Sequence, residues 1–259
     1  MTDAPSFNVL DVRVDGTVGH LTLNRPNKLN ALSTELLGEI AAAAHWFDMA
    51  TDVRAVLVTG AGRHFCAGAD LEAFSGPAGG DIRAAADAGR IMADALEQMA
   101  APAVAAIQGW CVGGGLVLAA ACDLRVAAED ARFSIPEVDL GIPLAWGGIP
   151  RLVREIGPAA TKELVMTCRP FDASEAQGLG FLNRVVPGED LASTALTLVA
   201  ELAARPPLAI GATKRHVNAV TSQMVGTGRS WSDADGLVTA LHDADCQQAR
   251  HDYLAQRSR

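Results

Sequence analysis

Gln108-Gly109-Trp110-Cys111-Val112-Gly113-Gly114-Gly115-Leu116-Val117-Leu118, continuing through Ala119-Ala120-Ala121-Cys122-Asp123, reads as the exit of a buried strand, a turn at Gly109 and the start of an alanine-rich helix. Three consecutive glycines at a helix start let another group approach the backbone closely. The unpaired N–H groups there, with the positive end of the helix dipole, suit an oxygen that becomes negative during a reaction. Tight helix-to-strand packing would explain the same glycines, so the rest of the chain has to decide.

Upstream, Gly60-Ala61-Gly62-Arg63-His64-Phe65-Cys66-Ala67-Gly68-Ala69-Asp70-Leu71 is a second strand-to-helix turn rich in small residues, following the apolar run Val53–Thr59. Two such turns, each ending a buried strand, can face one crevice in an α/β fold. Alternating apolar positions over Val9–Val14 and Val18–Leu23 around Asp15-Gly16-Thr17 predict a hairpin, and Ser33 with Leu36, Leu37, Ile40 and Ala44 predicts an amphipathic helix through Phe47. The pattern further predicts a loop at Gly76 to Gly80, a helix over Ile82–Met99, strands at Val104–Ile107 and Leu124–Ala127, and a loop over Phe133 to Gly141. Beyond Pro150 helices dominate: Pro158–Thr167, Ala173–Gly178, Asp190–Ala204, Pro206–Val220 and Asp233–Ala255. We therefore expect a core over residues 1–195 and a helical region over 196–259.

The chain has 259 residues, 49% hydrophobic and 20% charged, enough for a substantial core. A net charge of −9 argues against a nucleic-acid or anionic-membrane binder. Cys66, Cys111, Cys122, Cys168 and Cys246 are odd in number and lack metal-ligand spacing, so reduced thiols and no metal site are expected. With no apolar N-terminal run or membrane-length segment, the expectation is a cytoplasmic protein.

Taken together, these residues resemble the crotonase superfamily, also called the enoyl-CoA hydratase/isomerase family. The matching segments are Asn24-Arg25-Pro26 through Asn30-Ala31-Leu32, Phe65 through Leu71, Gly109 through Gly115 with Cys122-Asp123, and Phe133 through Gly148. The resemblance implies an α/β spiral of ββα units followed by C-terminal helices that build a trimer or a dimer of trimers. It implies a coenzyme A thioester as substrate, with no separate cofactor, its carbonyl oxygen held by two backbone N–H groups. By position these belong to Ala67 and Gly114. Ala69, Asp70 and Leu71 fall in the same cofactor-contacting segment, with Arg25 and Lys28 as candidates for the CoA phosphates and Tyr253 as the C-terminal aromatic. Arg25 and Lys28 could equally sit in a solvated turn, and Asp70 could cap a helix.

Of the two family glutamates, the second is Glu137, whereas the first falls on Val117. Position 117 is one helical turn past Gly114 and is expected to face the same pocket, where valine can neither hold water nor donate a proton. The carboxylate that dienoyl-CoA isomerases carry eight residues past the later glutamate is here Ala145. What remains resembles the one-glutamate 3,2-enoyl-CoA isomerases. A hydratase drawing a second acid from Asp139 or Glu72, or a non-catalytic acyl-CoA binder, are the alternatives. Trp110 and Trp146 are expected as acyl-chain walls or core, and His64 as a phosphate contact or a surface residue.

Overall fold

A computed structural model describes residues 5–50, 52–71 and 82–257. The sheet begins with β1 (Leu10–Asp15) and β2 (Val18–Leu23), the expected antiparallel hairpin. β2 then pairs in parallel with β3 (Ala55–Gly60), after the crossover helix α1 (Thr34–Met49). The Ser33 side chain accepts the N–H of Leu36 and caps α1. Helix α2 (Ile82–Gln98) leads to β4 (Ala103–Ile107), and the second turn carries β5 (Trp110–Val112) into α3 (Gly114–Ala121).

β6 (Leu124–Ala128), β7 (Arg132–Ser134), α4 (Gly148–Thr167), β8 (Phe171–Asp172), α5 (Ala173–Gly178) and β9 (Arg184–Val186) complete the core. The larger sheet has the order β1-β2-β3-β4-β6-β9, parallel from β2 onward, and β5-β7-β8 form a smaller one. Val56 and Val58 of β3, with Ala103, Ala105 and Ile107 of β4, enter the main core with α1, α2 and α3. Their alternates Ala55, Leu57, Val104 and Ala106 pack against α6 (Leu191–Ala203) on the opposite face. Both faces of these strands are therefore dry, which is why they read as apolar runs without alternation.

Several boundaries differ from the expectation. A cut at residue 195 would divide α6, whose Leu191, Ala195, Leu198 and Val199 cover the sheet. α4 begins ten residues before Pro158, because Pro158 follows a break at Gly157 (φ 78°) inside the segment rather than starting it. The last helix is two, α8 (Asp233–His242) and α9 (Ala244–Arg257), separated at Asp243, whose carboxylate accepts the N–H of Cys246 at 2.9 Å. The short strands β5, β7 and β9 carry too few residues for periodicity to reveal them. The expected Gly76 to Gly80 loop lies outside the described residues.

Between these parts runs α7 (Pro207–Met224). Lys214 pins it to the core, its ammonium donating to Asp123 at 2.8 Å and to the Ala101 carbonyl at 3.2 Å. Asp123 of the Cys122-Asp123 pair thus has a bracing role. Burial pushes the Asp123 carboxyl up, the facing Lys214 ammonium working against that shift.

Candidate active site

The two glycine-rich turns meet backbone to backbone. Phe65 N–H donates to the Gln108 carbonyl at 2.8 Å, Cys66 N–H to Trp110 at 3.1 Å, and Val112 N–H back to Cys66 at 2.9 Å. The Gln108 amide reaches the Gly60 carbonyl at 2.6 Å, and His64 Nδ1 accepts the Trp110 N–H at 3.1 Å. His64 therefore ties the turns together. A Cβ at Gly68 would come within 2.9 Å of the Val112 carbonyl, and one at Gly115 within 2.8 Å of the Cys66 carbonyl, so these glycines permit the contact.

One oxyanion assignment changes. Ala67 N–H donates to the Leu29 carbonyl at 3.0 Å and is spent. Two residues on, a parallel bridge joins Leu32 to Ala69 through the Gly68 carbonyl (2.8 Å) and the Asp70 N–H (3.0 Å), so the Ala69 N–H points the other way. Ala69 and Gly114 both line the main cavity, and among the described residues neither N–H has an acceptor. The donors available to a ligand oxygen are thus Ala69 and Gly114. Sequence position alone could not distinguish the two alanines, because the choice depends on the bridge to Leu32.

The cavity's remaining walls are Leu71, Leu140 through Trp146 apart from Gly141, and, from the C-terminal helices, Leu237, Leu241, Arg250 and Leu254, with Glu137 as the one carboxylate among the described lining residues. Glu137 sits in the turn after Pro136, its carboxyl against Gly113, where a Cβ would lie 2.3 Å from Oε1. Gly113 has φ 49° and ψ −114°, a conformation side chains resist, and its N–H is held by the Ser134 carbonyl at 2.9 Å. Oε2 of Glu137 is buried without a hydrogen-bond partner among the described residues. Burial pushes this carboxyl up to about 7, with only its own backbone N–H acting against the shift. A carboxyl poised there can both take and return a proton near neutral pH.

Trp146, itself at φ 62°, wedges its indole between two helices. A Cβ at Gly89 of α2 would fall 2.0 Å from the ring, and one at Gly114 2.3 Å from it. Arg151, fully buried, holds the adjoining turn by donating to the Trp146 carbonyl at 3.1 Å while pairing with Asp94 at 2.8 Å and Glu97 at 2.5 Å. Asp233 secures the same turn by accepting the Gly147 N–H at 2.8 Å.

Other expected site residues are placed elsewhere. Trp110 is 38% exposed and absent from the cavity lining, because Cys111 is the inward residue of the β5 pleat. Val117 is buried in the core, its Cγ2 2.9 Å from where a Cβ on Gly148 would stand, and it is absent from the cavity lining. Arg25 is turned inward onto Asp70 (2.9 Å) and the Ala31 carbonyl, which makes both members of that pair braces of the first turn. Lys28 is exposed on the turn Pro26–Lys28, and Tyr253, half-buried on α9, does not line the cavity. Asp139 is exposed and outside the lining, and Glu72 lies outside the described residues.

Two residues escaped the sequence reading. Asn30, fully buried, accepts the Arg25 N–H at 3.0 Å and donates to the Ala61 and His64 carbonyls at 2.8 and 2.9 Å, knotting the first turn. Arg250 reaches the cavity only because α9 folds back over it, a tertiary fact without a local signal.

The enoyl-CoA hydratase/isomerase family model matches residues 13–259. The peroxisomal Delta(3,5)-Delta(2,4)-dienoyl-CoA isomerase of Arabidopsis thaliana is 36% identical over 261 residues, covering 94% of each chain. A probable enoyl-CoA hydratase of Mycobacterium bovis is 34% identical over 226 residues, 86% of each. The crystal structure of an enoyl-CoA hydratase/isomerase from Pseudoalteromonas atlantica superposes with a TM-score of 0.87 at 26% identity, over 96% of this chain and 98% of that one. The chain belongs to the enoyl-CoA hydratase/isomerase family and has the crotonase fold.

Proposed function

We propose that this enzyme moves a double bond within an acyl-CoA thioester, as 3,2-enoyl-CoA isomerases do, using Glu137 as its one proton carrier. Glu137 removes a proton from carbon 2 of a 3-enoyl thioester. The electrons run onto the carbonyl oxygen, giving a dienolate that the N–H groups of Ala69 and Gly114 hold, each worth on the order of 3 kcal/mol to such an anion. The same carboxylic acid returns the proton at carbon 4, leaving the double bond between carbons 2 and 3. Atoms balance without water, and no separate cofactor is called for, since CoA is part of the substrate.

The observation that carries this reading is one carboxyl, its Oε2 without a partner among the described residues, in the same cavity as two available N–H groups and with no second carboxylate among the described lining residues. A two-acid hydration needs a second group to position water, and Val117 and Asp139 are both outside the lining. Names among the relatives include both hydratase and dienoyl-CoA isomerase, so the choice rests on this chain's own residues. Incubation with a panel of saturated, 2-enoyl and 3-enoyl thioesters in deuterated water, followed by mass measurement, tests it. Deuterium incorporation with double-bond migration and no added water is expected. Net hydration would restore the hydratase reading, and no exchange on any thioester would leave a binding protein.

The C-terminal helices also favour self-association as a trimer or hexamer. α7 exposes Leu208 at 81% and Met224 at 76%, with Val217 and Val220 also exposed. A monomer by light scattering at micromolar concentration would count against this.

A further inference from the structure

The cavity wall contributed by the C-terminal helices is apolar at Leu237, Leu241 and Leu254, but Arg250 interrupts it. The Cys246 carbonyl lies against the Glu137 turn, where a Cβ at Gly141 would fall 2.1 Å from it. Residues 246, 250 and 254 stand on one face of α9 at successive turns, so that close contact aims Arg250 and Leu254 into the cavity. Arg250 Nη2 is buried and has no hydrogen-bond partner among the described residues. A guanidinium nitrogen shielded from water and left without an acceptor is costly, and the fork geometry of arginine matches a carboxylate. Glu137 does not serve it. Both residues line one cavity, yet Glu137 Oε2, like Arg250 Nη2, has no hydrogen-bond partner among the described residues.

We propose that Arg250 is a specificity-determining residue that selects acyl-CoA substrates carrying an anionic oxygen, a terminal carboxylate in particular, at the end of the acyl chain remote from the thioester. This rests on the thioester reading above. With the carbonyl oxygen on Ala69 and Gly114 and the reacting carbons at Glu137, the tail runs along Leu140, Ile142 and Leu144 toward α8 and α9. There a methyl end leaves the guanidinium unpaired, whereas a carboxylate pairs with it.

Glutaryl-CoA and valeryl-CoA share a five-carbon chain and differ in that end group, so calorimetric titration of the full chain with each, and with free CoA, tests the idea without requiring turnover. We expect tighter binding of glutaryl-CoA by ~10-fold or more, given what a hydrogen bond to a charged group contributes. That preference should disappear in Arg250→Met and survive in part in Arg250→Lys, with thermal melting confirming that both variants fold. Equal affinity for the two thioesters in the unaltered protein would overturn the proposal, as would a preference that Arg250→Met retains. An equal loss of affinity for free CoA in Arg250→Met would assign the guanidinium to the CoA phosphates and also overturn it. Binding of neither thioester would bring down the thioester reading itself, and this proposal with it.

Discussion

The floor and the roof of the cavity are built on different terms. The floor is the pair of turns at Phe65–Leu71 and Gln108–Gly115, where main-chain atoms meet main-chain atoms and the useful groups are two amides. The roof, formed by the turn from Glu137 to Trp146 and by α8 and α9, works through side chains: a carboxyl, an indole, leucines and a guanidinium. The contrast teaches a division of labour. On the reading proposed above, backbone geometry would hold a thioester oxygen whatever the acyl group, while the roof would decide which carbon loses its proton and which tail fits.

The sharpest way to break that division is at Glu137. Glu137→Gln keeps the volume and removes the base, so exchange of deuterium into a 3-enoyl thioester should fall by ~100-fold or more while calorimetric affinity changes little. In the unaltered protein exchange should rise with pH and level off above about 7, where the carboxyl is ionised. Stability runs the opposite way. The folded carboxyl keeps its proton to about 7, whereas the unfolded one loses it near 4.5. The folded state thus binds more protons across that interval, and stability falls as pH rises through it. Glu137→Gln should lack that decline, so its melting temperature relative to wild type should be higher at pH 8 than at pH 4.5.

Placing a carboxylate in the core beneath the roof tests whether the first family glutamate can simply be restored. Val117 is buried against Gly148 and outside the cavity lining, so Val117→Glu should cost about 3 kcal/mol of stability in denaturant titration and give no hydration of crotonyl-CoA. Hydration appearing in that variant would place position 117 in the cavity after all. A smaller effect probes the seam where floor meets roof. Gly89→Ala puts a methyl against the Trp146 ring and should destabilise by about 2 kcal/mol, most of it relieved in the Trp146→Ala background. Additive losses in that cycle would deny the wedge. Smallest of all, Asp139→Asn should leave exchange within about twofold, since the side chain is exposed and outside the lining.

The floor was legible in the sequence because its demands are local. Glycine runs after apolar strands report directly that something approaches the backbone, and the hairpin, the Ser33 cap and the buried strands follow from short-range patterns. The roof was legible only at Glu137 and Trp146. Whether Ala67 or Ala69 turns its N–H to the cavity depends on a bridge to Leu32, more than thirty residues away. That Trp110 faces outward depends on the pleat of a three-residue strand, and that Val117 stays out of the cavity lining depends on how the start of α4 packs against α3. Arg250 has no motif around it, and its role appears only when the Cys246 carbonyl is seen against Gly141.

The wedged indole of Trp146 also makes the site optically legible. Its ring touches Gly114, whose N–H is one of the two amides free for a ligand oxygen, and it lines the cavity that an acyl chain would fill. Excluded from water on the helix sides and facing the ligand on the other, it is a native fluorophore at the point of binding. Its emission registers occupancy of the cavity without an attached dye, and the difference from a Trp146→Phe variant separates that signal from the other three tryptophans of the chain.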